Sequence, residues 1–281
     1  MVKIGIMQKR MTPVIRLRAV SFLIALLMVA GCASAPAPSD PEAVAEFLQV
    51  NDPMEPTNRA VFSVNRTLDS AILKPTATVY RDFAPEFLRT RISNVLNNLR
   101  GPVIFANDLL QGEFARGVVT FLRFMINSTI GLAGINDMAT ALEIEGHDED
   151  FGQTLAVWGF EEGPFLMLPL FGPSNPRDTV GLVVDFLIDP LNLWASNTER
   201  EFVPWARTGV AAVDLRSNNL EVLDDLEKSS LDFYAAIRSL YRQRRQDAIS
   251  NGQGSATFPA PSIGQIQDNP VLEETDELSR R

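Results

Sequence analysis

Apolar stretches recur along this chain of 281 residues, but each is too short, too interrupted or too polar to cross a bilayer, which takes about 20 apolar residues. The run 19–30 has only twelve residues, and the longer stretch 117–135 carries Arg123 near its middle, where a charge is costly. The segments 151–176 and 181–194 are also apolar, but Pro and Gly interrupt the first. With 46% hydrophobic residues, the sequence predicts helices that pack in a core or lie at a membrane interface.

The N-terminal segment has the organisation of a secretory signal. Five basic residues and no acidic one precede the apolar run 19–30, and small residues stand directly before Cys32. The pattern is typical of a signal peptide and resembles a bacterial lipobox, in which the Cys is acylated and becomes the first residue. The alternative is an ordinary signal peptide with a chance Cys, but Cys32 is the only Cys in the chain, which favours lipid attachment. A complete signal follows either Met1 or Met11, so both are candidate start positions.

The composition and the charge of the chain exclude several classes of function. One Cys and one His cannot build a zinc finger or an internal disulfide, and a formal charge of −10 gives nucleic acid no electrostatic footprint. Removing residues 1–31 takes away five positive charges and no negative one, which lowers the formal charge from −10 to −15. Electrostatics cannot hold such a body on an anionic membrane, so acyl chains and apolar faces must do so. In bacterial lipoproteins, which the N-terminal segment resembles, a residue other than Asp after the Cys, such as Ala33 here, implies release to the outer membrane.

The mature chain divides into a tether, a helical domain and a tail. Residues 32–50 are small, Pro-bearing and acidic, which is typical of a flexible tether, and residues 251–281 are predicted to be a disordered acidic tail. Between them, residues 51–250 place apolar side chains three and four apart, which predicts an all-α domain. The basic helix end at Arg244 and Arg245 is expected to be solvated or, alternatively, to contact lipid head groups. Helices are expected at 58–72, ended by Lys74-Pro75, at 85–101, closed by Pro102, and at 217–249.

The segment 151–176 is the most unusual part of the domain. Four Pro lie among its last thirteen residues, so an irregular apolar loop or hairpin is expected in place of a helix. Loops are usually polar because their backbones face water. This apolar loop is therefore expected either to pack beneath helices or to touch lipid.

Only one side chain is a conventional general base, His147, and it lies in the acidic run 143–150. A periplasmic hydrolase of lipid or cell wall can be drawn from His147 with Ser128 or Ser174 and an Asp, but no G-x-S-x-G elbow is present. A solvated acidic loop is the simpler interpretation. The run also offers carboxylates to a divalent cation, but it lacks the register of a calcium loop. The sequence therefore predicts no catalytic residue, no metal site and no cofactor.

Several short motifs follow one another through residues 51–250. Each motif alone is weak evidence, whereas the ordered set is specific. They are Asn51-Asp52-Pro53-Met54-Glu55-Pro56-Thr57-Asn58-Arg59, Arg91-Ile92-Ser93-Asn94 with Asn98-Leu99, Leu109-Leu110-Gln111-Gly112, Arg123-Phe124, Asn127-Ser128-Thr129-Ile130-Gly131, Asp150-Phe151-Gly152-Gln153-Thr154-Leu155, Trp158-Gly159, Gly163-Pro164-Phe165, Leu168-Pro169, Gly172-Pro173-Ser174 and Arg177-Asp178.

In this order, and after a lipobox, the motifs resemble those of the MlaA (VacJ) outer-membrane lipoproteins. Two features depart from the family pattern: Val95 stands where an aromatic often follows the Asn, and the tail after Gly252 lies outside it. The resemblance implies a ring of amphipathic helices lying in the membrane plane, within the periplasmic leaflet, around an amphipathic channel. Such a protein takes mislocalised phospholipid from the outer leaflet, acts with a trimeric porin and passes the lipid to a soluble periplasmic carrier.

The resemblance also suggests roles for particular segments. The apolar helices around 117–135 and 181–194 are candidates for the rim of the ring, and Cys32 is the candidate lipid attachment site. No enzymatic step is implied, because lipid would move down a free-energy gradient. The apolar hairpin is the candidate gate of the channel, with hinge motion at its glycines, and its residues are Phe151, Gly152, Gly159, Gly163, Pro164, Phe165 and Pro169.

Overall fold

The computed structural model describes residues 50–251. Cys32 and the predicted signal peptide (1–31), tether (32–50) and tail (251–281) lie outside this part, apart from the border residues 50 and 251. The regular elements of the described part are helices and one short hairpin, which confirms the predicted all-α class. Its elements are α1 (Glu55–Leu68), a π-helical turn (Asp69–Leu73), α2 (Lys74–Phe83), α3 (Glu86–Gln111), α4 (Phe114–Thr129), α5 (Met138–Ala141), α6 (Phe151–Val157), β1 (Leu166–Leu168), β2 (Gly172–Ser174), α7 (Pro176–Ile188), α8 (Pro190–Asn197), α9 (Phe202–Asn218), α10 (Leu220–Ser229) and α11 (Phe233–Ile249).

Helices α1 and α2 form one continuous helical path. The π-helical turn links them, and α2 begins at Lys74 with Pro75 in its first turn. Proline is tolerated there, because it stands in the first turn after the π-helical turn and its fixed φ of about −65° is compatible with a helix. The prediction that Lys74-Pro75 ends the helix was therefore wrong.

Helix α3 continues through Pro102, although an interior proline costs a helix about 3 kcal/mol. It ends only at Gly112, whose φ of 81° provides a left-handed cap. Helix α3 packs against α4 more extensively than any other pair of elements does. Gly101 permits a close approach, since an added Cβ would lie 3.1 Å from the ring of Phe124. The prediction that Pro102 closes the helix was wrong because this packing outweighs the local cost.

The predicted helix 217–249 is also wrong as a single element. It comprises the end of α9, all of α10 and all of α11. Ser230 takes an extended conformation after α10, and the Asp232 carboxylate then caps α11 by accepting a hydrogen bond from the Ala235 N–H. An Asp inside an amphipathic pattern is thus the start of a new helix.

The segment 151–176 forms a helix followed by a hairpin. Asp150 caps α6 by accepting from the Gln153 N–H at 2.9 Å, and α6 ends before the first proline of the segment. Strands β1 and β2 pair antiparallel, with Met167 opposite Pro173. The hairpin prediction is confirmed, whereas the expectation of an irregular loop from residue 151 onward was wrong, because the prolines begin only at Pro164.

Two asparagines of α1 hold the hairpin by its backbone. Asn58 donates to the Phe165 carbonyl at 3.0 Å and accepts from the Met167 N–H at 2.9 Å. One heptad later, Asn65 donates to the Leu168 carbonyl and accepts from the Leu170 N–H, both at 2.9 Å. Seven helical residues rise about 10.5 Å, which matches the spacing of these backbone groups along an extended strand. Helix α1 thus takes the place of a neighbouring strand beside β1.

The buried apolar core of the described residues lies between α1, the hairpin and α11. Phe165, Met167 and Tyr234 form its centre, and Val61, Phe62 and Tyr241 pack around them. Beneath it, the buried carboxylate of Asp52 forms an ion pair with Arg238 at 2.7 Å. The N-terminal and C-terminal helices are therefore joined through the hairpin.

Within residues 50–251, no single helix is both long and apolar enough to cross a membrane. Helices α7 and α8 satisfy that test only as a pair, and the chain bends by 57° between them.

Candidate functional site

The two faces of α4 have inverted polarity. Thr120 and Asn127 are buried against the rest of the molecule, and Arg123 is half-buried beside them. The opposite face exposes large apolar side chains at helical spacing. They are Phe114, Val118, Phe121, Leu122 and Met125.

Helix α7 has the same inversion. Arg177 and Gly181 are buried and Asp185 is half-buried, whereas Val180, Val183, Phe186 and Leu187 are exposed. Across residues 50–251, nine hydrophobic residues are buried against sixteen polar or charged ones, while 35 large apolar side chains are exposed. A soluble domain has the opposite distribution. The polar interior of residues 50–251 is therefore the part of this molecule that has the chemistry of a binding site.

A first cavity of about 410 Å³ lies between α3, α4 and the loop around His147. Ile104 and Phe124 contribute apolar surface, and the remainder of the wall is mainly amide and charged. The polar lining residues are Asn94, Asn97, Asn98, Arg100, Thr120, Arg123, Asn127, Asp137, His147 and Asp148.

Arg123 is fixed in the wall of the first cavity by a network. It forms an ion pair with Asp137 at 3.0 Å and also donates to the Ile144 carbonyl. Asn127 donates to Asp137 at 2.9 Å. Burial would raise the pKa of Asp137, but hydrogen bonds from Thr140 and Asn127 and the charge of Arg123 outweigh it and hold the pKa at about 2. The polar residues in this apolar stretch thus stabilise the turn after α4.

A second cavity of about 550 Å³ lies on the other side of α3, against α7, α8 and α9. It is rich in carboxylates, and Arg207 balances one of them through an ion pair with Asp189. Its polar lining residues are Ser93, Asn97, Arg100, Glu149, Asp185, Asp189, Asn192, Arg207, Thr208, Asp214 and Asn218.

Two carboxylates of the second cavity have only neutral hydrogen-bond donors among the described residues. Asp185 accepts from the Asn107 amide and the Phe151 N–H, both at 3.0 Å. Asp214 accepts from Ser93 at 2.6 Å and from Tyr80 at 3.1 Å. Burial raises the pKa of Asp185 above its ordinary value, and burial together with the Asp214 carboxylate raises the pKa of Tyr80 to about 12. The cavity therefore has an excess of acceptors.

The two cavities adjoin at α3. Asn97 and Arg100 line both of them. Both side chains lie at the surface of the helix, and Arg100 forms an ion pair with Asp148 at 2.7 Å. A polar path therefore passes α3 at these two residues.

The structure does not leave His147 in a solvated loop, so that interpretation was wrong. Its side chain is 18% exposed, and its Nε2 lies 2.8 Å from the Asp108 carboxylate and 3.3 Å from the Thr120 hydroxyl. Glu149 is 2% exposed and receives hydrogen bonds from Gln111 and Arg116. Ligand atoms of Asp108, His147 and Glu149 all lie within 4.8 Å of one another.

The described residues do not form the Ser-His-Asp triad that was considered from the sequence. Ser128 accepts from the Asn98 amide, and Ser174 bonds to Thr179, so neither hydroxyl is paired with His147. In a catalytic triad the carboxylate holds one ring nitrogen and the other takes the nucleophile's proton. Here the contacts of His147 with carboxylate and hydroxyl share Nε2.

The seven residues of the predicted gate occupy different environments. Phe165 is 3% exposed in the apolar core, Gly152 packs in the α6–α7 contact, and Pro169 is exposed at the hairpin tip. Gly159 and Gly163 have left-handed φ angles of 91° and 70° and delimit the connection from α6 to the hairpin. None of the seven lines either polar cavity. The remaining two, Phe151 and Pro164, are half-buried at the start of α6 and before β1.

The basic end of α11 is a structural clamp at Arg245. Its guanidinium pairs with Asp150 at 2.5 Å and with Asp178 at 2.7 Å, and its side chain is 13% exposed. The expectation of a solvated or lipid-contacting end was therefore wrong for Arg245, although Arg244 is exposed. Burial would raise the pKa of Asp150, but the hydrogen bonds and charge of Arg245 hold it below its ordinary value.

Sequence reasoning missed the acidic residues of the interior. Asp108, Asp185, Asp189 and Asp214 each stand in a helix or at its end, far in sequence from their partners. Their only signal in the sequence is a lone carboxylate within an apolar turn, as for Asp185 between Val184 and Phe186.

Comparisons of sequence and of structure with known proteins indicate the same family. Residues 50–248 match the family model described as MlaA lipoprotein. The intermembrane phospholipid transport system lipoprotein MlaA of Haemophilus influenzae is 32% identical to this chain, and the match covers 82% of this chain and 90% of that protein. The protein of the same name from Escherichia coli K12 is also 32% identical, and the match covers 78% of this chain and 86% of that protein. A chain solved under the heading "Structural basis for maintenance of bacterial outer membrane lipid asymmetry" superposes with a TM-score of 0.63 at 32% identity, covering 70% of this chain and 98% of that one. The chain belongs to the MlaA lipoprotein family.

Proposed function

We propose that this lipoprotein removes mislocalised phospholipid from the outer leaflet of the outer membrane and passes it through a polar channel to a periplasmic carrier. The observation that carries the proposal is the inverted polarity of the fold. Apolar side chains of α4 and α7 face outward, while charged and amide groups line two adjoining cavities inside. The functions named for the Haemophilus and Escherichia relatives support the same role.

The outward faces suit a position within one leaflet. The exposed residues of α4 and α7 bring apolar surface to two sides of the cavities, and no single helix of the described part is both long and apolar enough to span the bilayer. An amphipathic helix with its apolar face in acyl chains lies in the membrane plane. A ring of such helices in the periplasmic leaflet would present the cavities to lipid head groups.

The interior suits the head group of a phospholipid better than its tails. Arg100 and Arg207 offer charge-assisted donors for a phosphate, and Asp185 and Asp214 offer acceptors for an ammonium or hydroxyl group. Acyl chains would remain against the apolar outer faces. Head groups would thus pass α3 at Asn97 and Arg100 while the tails stay in a hydrocarbon environment.

Attachment and partners are part of the proposal. Acylated Cys32 followed by Ala33 would anchor the chain in the outer membrane, with residues 32–50 as its tether. A trimeric porin would hold the ring at the outer membrane, and a soluble carrier would receive the lipid from the periplasmic side. The resemblance to the family supports both partners.

We assign the gating movement to residues 159–161, since Trp158 donates to the Leu110 carbonyl and Glu162 pairs with Arg242 on either side of them. Arg245 and the Gly152 contact fix α6 on one side, and Asn58 and Asn65 fix the hairpin on the other. The connection between them exposes Trp158 and Phe160 and contains Gly159, beside which nothing lies within 4 Å of an added Cβ. Movement of this connection would leave both anchors intact.

Blocking the polar path tests the function directly. Asn97→Trp places a bulky ring where the two cavities adjoin, and Asn197→Trp makes the same change at an exposed position of α8 that lines neither cavity. Each variant is expressed in a strain lacking the gene, and outer-leaflet phospholipid and detergent sensitivity are measured. We expect Asn97→Trp to resemble the deletion strain at a normal protein level and Asn197→Trp to complement it. Full complementation by Asn97→Trp would overturn the proposed path.

A further inference from the structure

We infer that Asp108, His147 and Glu149 form a binding site for one Zn²⁺ ion, held between α3, α4 and the loop 142–150. The inference is independent of lipid transport. It was not accessible from the acidic run alone, because Asp108 lies 39 residues before His147 in the chain.

The donor atoms already converge. One ligand atom from each of the three side chains lies within 4.8 Å of the other two. The His147 Nε2 is 2.8 Å from Asp108 Oδ1, whereas donors around a tetrahedral zinc, with bonds of about 2.0–2.1 Å, lie roughly 3.3 Å apart. An ion would therefore replace the shared proton if Asp108 and His147 separated by about half an ångström and the Glu149 oxygen moved closer by up to about 1.5 Å. The Thr120 hydroxyl, 3.3 Å from Nε2, or a solvent molecule would complete the fourth position.

Burial and charge also favour a cation. Asp108 has no exposed surface, and its contacts are the Thr120 hydroxyl and the His147 ring. Glu149 is 2% exposed and has one cationic partner, Arg116 at 2.7 Å. Two buried carboxylates beside a single guanidinium leave negative charge without a full counter-charge, which is costly in a low-dielectric interior. A divalent cation would supply the missing counter-charge.

The partners of Glu149 are those expected around a metal ligand. Arg116 donates to one of its carboxylate oxygens and Gln111 to the other. Each oxygen has two lone pairs, so each retains one for a metal, while the donors fix the orientation of the carboxylate.

The donor set favours zinc over calcium and magnesium. Calcium and magnesium take oxygen ligands, whereas an imidazole with carboxylates suits zinc. His147 lines the first cavity, which gives the ion a route of entry. Binding would fasten the loop 142–150 to α3 and α4 at the wall of that cavity.

The test uses the full-length lipoprotein, purified in detergent without a metal-binding tag, stripped with EDTA and titrated calorimetrically with zinc chloride. We expect one Zn²⁺ per chain and at least about a hundredfold weaker binding for His147→Gln, since even the loss of an outer partner costs roughly 10–100-fold. The matched control is Glu145→Gln, an exposed acid of the same loop, which should keep the wild-type affinity.

X-ray absorption at the zinc edge of the wild-type protein provides a readout that does not depend on a folded variant. One imidazole nitrogen and two or three oxygens at about 2.0–2.2 Å are expected. The absence of stoichiometric zinc in the wild type, wild-type affinity in His147→Gln, or a spectrum without an imidazole ligand would each overturn the site.

Discussion

Charged side chains inside this molecule are stabilised in two different ways. Asp137 pairs with Arg123 and accepts from Asn127 and Thr140, so its ionised form is favoured. Asp185 has only neutral donors within bonding distance, and burial raises its pKa. The first residue therefore acts as a fixed structural anion, whereas the second can exchange its protein donors for those of a ligand.

The anionic form of Asp137 predicts acid sensitivity of the fold. Its pKa falls from 3.8 to about 2, so its contribution to stability is complete above pH 4 and is lost as the pH falls from about 4 to 2. A shift of this size corresponds to roughly 2 kcal/mol. In thermal unfolding followed by circular dichroism in detergent, the wild type should exceed Asp137→Asn in Tm at pH 5, and the two should converge toward pH 2. A gap that stays constant across this range would contradict the assignment.

At the scale of residues, the sequence indicated types of side chain better than their partners. Arg123 was identified as a charged interruption of an apolar stretch, and the structure gives it and Asn127 one shared partner, Asp137. The burial of Arg245 could not be predicted, because Asp150 and Asp178 lie 95 and 67 residues away in the chain. Local charge patterns favour a solvated helix end, and only the fold brings the opposite charges together.

Among the elements, α6 and α7 make an unusually close contact. A Cβ on Gly181 would lie 2.7 Å from the Gly152 Cα, and a Cβ on Gly152 would lie 2.8 Å from an Asp178 carboxylate oxygen. Both glycines are helical, so they serve close packing and not a hinge. The same contact keeps Asp150 and Asp178 within reach of Arg245.

Gly181→Ala should therefore be strongly destabilising. The added methyl group meets backbone atoms that cannot turn aside, so the two helices must separate and the ion pairs of Arg245 must lengthen. We expect a loss of about 3 kcal/mol in the free energy of unfolding, at the upper end of overpacking effects. Chemical denaturation in detergent measures it.

Gly209→Ala is the control for this substitution. Gly209 lies in α9, and a Cβ there meets nothing within 4 Å. Its replacement should be neutral or stabilise by about 0.5–1 kcal/mol, because alanine is the better helix former. Equal effects of the two variants would show that helix propensity, and not the α6–α7 contact, determines the result.

Helical character was predictable at the scale of elements, and boundaries at proline were not. Pro75 begins a helix, and Pro102 lies inside one, although each was expected to end one. A proline inside a helix destabilises that helix by about 3 kcal/mol, and the packing of α3 on α4 is extensive enough to outweigh this cost. The hairpin was predictable from its prolines and glycines, whereas its fixation by Asn58 and Asn65 depends on α1, a hundred residues earlier.

At the scale of the whole described part, residues 50–251, buried polar residues outnumber buried hydrophobic ones and many large apolar side chains are exposed. The rim segments proposed from sequence, 117–135 and 181–194, do carry exposed apolar faces, because their polar residues turn inward. Their composition left burial and membrane contact as alternatives. The cavities could not be predicted, since their walls combine residues from Ser93 to Asn218.

This arrangement predicts that residues 50–251, and not only the lipid anchor proposed at Cys32, contact hydrocarbon. The chain contains three tryptophans, and all are exposed: Trp158 by 49%, Trp194 by 44% and Trp205 by 66%. In proteoliposomes, lipids brominated on their acyl chains should quench this fluorescence strongly, whereas acrylamide in the water should have little effect. Single Trp→Phe variants would then identify which of the three sites is quenched. Strong quenching by acrylamide without an effect of the brominated lipids would mean that the domain stands in water on its tether, and the in-plane arrangement would be wrong.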